Sequence, residues 1–146
     1  MVVLILWPVF QDVWRRAFHD DSAPITFHSV ILETPVVRVG GVLSYSSVYS
    51  KRADCFPPDG KGEVGYRLTR IGDASAEHKH LSYVFDFKRE AKWPPGVNIT
   101  YATRVPIPAD IPPGTYTYTA MSTFECKNAS RLLTVEGPVL AVTVAQ

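Results

Sequence analysis

The chain of 146 residues is short of nearly everything that would name a chemistry. It has two cysteines and four histidines, so neither a cysteine-rich scaffold nor a dense metal-ligand set can be built from it. No glycine-rich phosphate loop, zinc-ligand spacing, calcium loop or Gly-x-Ser-x-Gly nucleophile elbow occurs. The formal charge is +1, and no Lys/Arg run is long enough to follow a phosphate backbone, which argues against nucleic acid. The uninterrupted apolar run, residues 2–10, would cover only about 14 Å as a helix against ~30 Å of hydrocarbon. Extending it to Phe18 brings Asp12, Arg15 and Arg16 into the span. There is no internal repeat and no low-complexity tract.

What the chain does have is turns and alternation. Twelve prolines and nine glycines lie mostly between apolar runs, the pattern of many short strands. Seven strands are expected, over roughly 25–33, 41–53, 63–71, 80–88, 97–105, 114–126 and 139–145. The stretch 114–126 is the clearest: Tyr116, Tyr118, Ala120, Phe124 and Cys126 fall on one face, Thr115, Thr117, Thr119 and Thr123 on the other. Before it, the proline-rich segment from Arg104 to Pro113 can be neither helix nor central strand. Seven such strands with no credible helix among them imply an all-β sandwich, a barrel being the less favoured closure. The length suits one sandwich domain, residues 22–146, preceded by a short extension, residues 1–21.

That extension is of a different character. Val2 to Trp7 is wholly apolar and Pro8 follows. From Val9 the pattern is helical, with Val9, Phe10, Val13, Trp14, Ala17 and Phe18 on one half of the wheel and Gln11, Asp12, Arg15, Arg16 and His19 on the other. A secretory signal would show a basic start and a small-x-small cleavage site, and neither is found. The reading preferred is an apolar/amphipathic segment that docks on protein through Trp7, Phe10, Trp14 and Phe18; membrane contact through residues 1–18 is the alternative.

Cys55 and Cys126, 71 positions apart, are each in phase with the apolar face of their strand and lie at strand ends that reach the same pole of a sandwich. A disulfide between them suits oxidising surroundings; two reduced core thiols are the other reading. Beside them, Phe56 and Lys61 follow Cys55, and Lys127 and Arg131 follow Cys126, a natural loop contact surface. Trp93, before Pro94-Pro95-Gly96, belongs to a different turn, as a surface grip for sugar or protein or as a half-buried corner plug. His78 and His80 could project from one face of an extended stretch, but no third ligand joins them, so an exposed strand entry is the plainer reading. His28 reads as a surface or edge residue, and Asn98-Ile-Thr100 and Asn128-Ala-Ser130 fit the glycosylation sequon. No nucleophile, acid/base pair, metal set or cofactor site can be assembled, so no enzyme is expected.

Ala23-Pro-Ile-Thr-Phe-His-Ser-Val, Thr34-Pro-Val-Val-Arg-Val-Gly-Gly and Arg104-Val-Pro-Ile-Pro-Ala-Asp-Ile-Pro-Pro-Gly-Thr-Tyr, together with the cysteine pair, resemble the small immunoglobulin-like proteins encoded by tailed bacteriophages. The Pro-Pro-Gly-Thr-Tyr-Thr-Tyr segment is similar to the corner before strand F of immunoglobulin-like and fibronectin-III-like domains, where a tyrosine bonds back to the preceding turn. The resemblance implies one sandwich behind a short N-terminal segment and a non-enzymatic role in the virion, as a head or tail decoration or accessory protein. Its partners would be capsid, portal or tail proteins, with oligomerisation through the assembly. The alternative is a membrane-associated periplasmic or surface binding module, with weak glycan binding through Trp93 or the Phe56 loop.

Overall fold

The computed structural model describes residues 19–58, 64–71, 82–87 and 93–146. The expected helix from Val9 to His19 lies outside these residues except for His19, which is not helical. The described chain is all-β: β1 (Ile25–Leu32), β2 (Val36–Arg38), β3 (Val42–Lys51), β4 (Cys55–Phe56), β5 (Val64–Arg70), β6 (Ser82–Phe87), β7 (Gly96–Pro106), β8 (Gly114–Cys126), β9 (Leu133–Glu136) and β10 (Leu140–Ala145). Seven of these correspond to the strands expected from alternation. The three others, β2, β4 and β9, are two to four residues long, too short to show a period.

One sheet runs β1-β3-β7 and the other β2-β10-β8-β5-β6, with β4 and β9 also pairing β8. All pairings are antiparallel except that of β2 with β10. The first strand region is split between the sheets: β1 pairs β3, then Thr34-Pro35 carries the chain across to β2. The crossing is pinned where Thr34 Oγ1 accepts the Ser44 amide at 2.7 Å and the Pro35 carbonyl accepts the Thr143 amide at 2.9 Å. A tight turn at Gly40, whose φ of 71° suits glycine, then feeds β3.

The inward faces of both sheets meet in one core. Leu43, Tyr45 and Val105 come from the first sheet; Tyr66, Leu68, Tyr116, Tyr118, Val142 and Val144 come from the second. Three of its tyrosines, Tyr45, Tyr116 and Tyr118, have bonded hydroxyls. Tyr45 and Tyr118 share a buried hydrogen bond of 3.2 Å, and the Tyr118 ring stacks on Tyr66 at 6.0 Å. Burial, then the neighbouring Tyr45, drive the Tyr118 phenol far above its ordinary value, so it stays neutral. At the start of β8 the Tyr116 hydroxyl donates to the Pro112 carbonyl at 2.6 Å, tying the proline-rich crossover to the strand that follows it. A bond of this kind contributes about 1 kcal/mol net.

A second, smaller core lies at the end where β3 and β8 finish: Ile25, Tyr49, Cys55, Phe124, Cys126 and Leu133. It is this end that carries the functional candidates.

Candidate functional site

β3 ends at Lys51, and after a turn the two-residue β4 lies antiparallel on the end of β8, pairing Cys55 with Cys126 and Phe56 with Glu125. The alternation that buries Phe124 also points Cys126 inward, and Cys55 meets it there as a disulfide. Closing a loop of this length stabilises by roughly 4 kcal/mol in the chain-entropy account. Lys51 lies across the joint. Its ammonium donates to the Cys55 carbonyl at 2.7 Å and lies about 6 Å from the Phe56 and Phe124 rings, at 6.0 and 5.9 Å. Burial pushes this amine below its usual value, and Asp54 offsets part of that shift.

Arg52, next in the chain, is a clamp. Its guanidinium grips Asp54 with two bonds, at 3.0 and 2.8 Å, and reaches Asp20 at 3.1 Å. It also donates to the Ser22 carbonyl and hydroxyl, both at 3.0 Å. On the other side, Asp21 accepts from the Ser130 amide at 2.9 Å and the Ser130 hydroxyl at 2.7 Å, while the Asp20 amide donates to the Asn128 carbonyl at 2.8 Å. Residues 20–22 are thus strapped between the β3–β4 turn and the β8–β9 loop. These contacts hold three carboxyls below the ordinary range: Asp20 through Ser22 and then Arg52, Asp21 through Ser130, and Asp54 through Arg52. The segment boundary expected between residues 21 and 22 falls inside this strap.

On this frame sits a hollow of about 500 Å³, lined by Phe56, Glu125, Lys127, Arg131 and Leu132 among others. Phe56 is 52% exposed and Leu132 55%, so two large apolar side chains stand in solvent between two basic ones. Phe56, Lys127 and Arg131 are therefore brought together as the loop reading expects, and Lys61 lies outside the described residues. Trp93 is not part of that surface. Its ring centroid is 6.0 Å from Phe27, 5.9 Å from Tyr49 and 6.2 Å from Phe124, packed against the smaller core as a corner plug. The Tyr49 hydroxyl donates to the Pro94 carbonyl at 3.2 Å and fixes the same turn.

The remaining candidates scatter. Trp7, Phe10, Trp14, Phe18, His78 and His80 lie outside the described residues. His28 is exposed at a β-bulge in β1, with Nε2 2.7 Å from the Ser50 hydroxyl. Asn98 and Asn128 are both exposed. Among the described residues, no group of three or more His, Cys, Asp or Glu side chains is placed to hold a metal ion. Leu132 and Glu125 escape the loop reading. For Leu132 a signal was present, since Leu133 and Val135 turned inward leave Leu132 outward once β9 is recognised as a strand.

No protein-family model matches the chain, and no curated protein matches it.

Proposed function

We propose that this protein is a non-enzymatic structural and binding module with an immunoglobulin-like sandwich, a component of a tailed-phage virion that docks on neighbouring virion proteins through residues 1–21 and the adjacent pole. Strand order supports the fold reading: β1-β3-β7 facing β2-β10-β8-β5-β6, with the first strand shared between sheets, is the order of an immunoglobulin-like or fibronectin-III-like domain. The Tyr116–Pro112 bond, at the corner before the long strand β8, supports it further. The virion assignment rests on the sequence resemblance.

The observation that carries a binding role is the hollow at the disulfide pole. Exposed Phe56 and Leu132 beside Lys127 and Arg131 are the composition of a protein contact, an apolar centre with a charged margin. The frame beneath is cross-linked and ion-paired, so little loop entropy is lost when a partner arrives. Residues 20–22 are fixed to the same pole, beside this hollow.

The disulfide favours a second reading, because such bonds persist in oxidising compartments: a membrane-associated periplasmic or surface module. Among the described residues no helix is long and apolar enough to cross a membrane. Mass spectrometry of purified particles beside the membrane fraction of producing cells separates the two readings. Recovery in particles at fixed stoichiometry is the expected result; recovery only in membranes makes the protein a membrane-associated module instead.

A further inference from the structure

Between β1 and β9 runs an open groove of about 890 Å³, bounded by residues 21–27 on one side and 131–138 on the other. Its walls are two strand edges. Among the described residues β1 pairs only with β3, and β9 only with β8, so each has one edge without a strand partner among these residues. Ile25, Phe27, Leu132, Leu133, Val135 and Pro138 give it an apolar stretch, and Asp21, Thr26, Arg131, Thr134 and Glu136 give it polar ones. The β1 edge stays regular as far as Phe27, where the bulge at His28 interrupts it. Such a slot takes an extended apolar segment that supplies both backbone hydrogen bonds and alternate side chains.

We propose that the occupant is residues 2–7 of the same chain, Val-Val-Leu-Ile-Leu-Trp. Three observations select it. Six residues extended cover about 20 Å, and a lining of eight residues from Arg131 to Pro138 is about 26 Å long. The composition is that of a strand: Val2, Val3 and Ile5 are β-branched, no residue is charged, and Pro8 disfavours a helical conformation at Trp7. The attachment point is at the groove itself, because Asp21 lines one end of it while Asp20 and Asp21 are bonded to Asn128 and Ser130. Residues 8–18 reach about 16 Å as a helix and up to about 36 Å extended, enough to return to either end of the slot. Closing so short a loop costs little and gives the segment a local concentration on the order of millimolar, ahead of a segment from another molecule. Phe10, Trp14 and Phe18 are then left for an external partner. The inference narrows the docking reading, since Trp7, and Leu132 where it lines the groove, are then used within the chain, and it does not depend on the virion assignment.

The test uses purified full-length protein in which a photocrosslinking phenylalanine analogue replaces Leu4, prepared as an equal mixture of unlabelled and ¹⁵N-labelled chains. After irradiation, peptide mass spectrometry should find cross-links to residues 23–27 or 132–138, with donor and acceptor always of the same isotope. Cross-links to those residues with mixed isotopes would make a second copy the occupant and overturn the proposal. Cross-links elsewhere, or none, would overturn the assignment of the groove. Each outcome is read on protein free of particles, so it is independent of whether the chain is found in virions.

Discussion

The two cores of this small protein are held together by different means. The larger core, between the sheets, is closed by packing: Leu43, Leu68, Val105, Tyr116 and Val142 are almost completely buried, the Tyr45 and Tyr118 hydroxyls bond each other, and Tyr116 bonds the Pro112 carbonyl. The smaller core at the pole has six buried residues and is rimmed by charge. There Arg52 joins Asp20 to Asp54, Asp21 holds Ser130, and Cys55 is bonded to Cys126. Among the described residues the covalent and ionic ties thus add to the packing of this cluster, where the larger core relies on packing. Stability and recognition are thereby separated. The tyrosine-rich core sets the scaffold, and the pole presents Phe56 and Leu132 on a frame that redox state and acidity can loosen.

The largest expected effect tests that division directly. Replacing both Cys55 and Cys126 by alanine should lower unfolding stability by roughly 4 kcal/mol. The loss should be unevenly felt: hydrogen exchange should rise first in β4 and the β8–β9 loop, while β5 and β10 stay protected. Uniform loss of protection would mean that the two cores form one cooperative unit.

Tyr116→Phe should cost about 1 kcal/mol, because the Pro112 carbonyl loses its donor while the ring keeps its burial. Urea denaturation reads that difference. The effect should appear as a global loss with no preference for the pole, the reverse of the cysteine variant.

Among the described residues, the carboxyls held below their ordinary range all lie at the pole. Asp20, Asp21 and Asp54 all have folded values below their unfolded ones. Their contribution is therefore complete above the ordinary carboxylate range near about pH 4 and is lost as pH falls through the depressed folded values. Lowering the pH from 6 toward about 2.5 should shift the amide resonances of Ser22 and Ser130 before those of β5 and β10. Because Asp20 and Asp21 are exposed and Asp54 keeps partial contact with solvent, the change in global stability should be small.

Much of this was legible in the sequence wherever a period had room to show. Six or more alternating residues mark β3, β8 and the other long strands, and the phase of β8 turns Cys126 inward; Cys55 meets it from β4, after a turn that ends the β3 alternation. Pro-Pro-Gly-Thr-Tyr marks the corner that Tyr116 closes. The two-residue β4 and four-residue β9 carry too few residues to stand out as strands, so the groove beside β9 could not be read, and the outward place of Leu132 follows only once β9 is recognised. The Arg52 clamp was hidden for another reason. Its partners Asp20 and Ser22 are about 30 positions away, and only the fold brings them to one guanidinium. Trp93 was readable as an aromatic before a turn, but whether it faced solvent depended on Phe27, Tyr49 and Phe124 converging beneath it.

The claim that the pole is a contact surface and the larger core its scaffold is tested most directly by particle incorporation of full-length Phe56→Asp beside wild type, with unfolding stability measured on both. A half-exposed side chain on a solvent face should change stability by no more than about 0.5 kcal/mol. The account predicts that the variant folds as wild type does and is depleted at least tenfold from purified particles. Undiminished incorporation of a stably folded Phe56→Asp protein would contradict it.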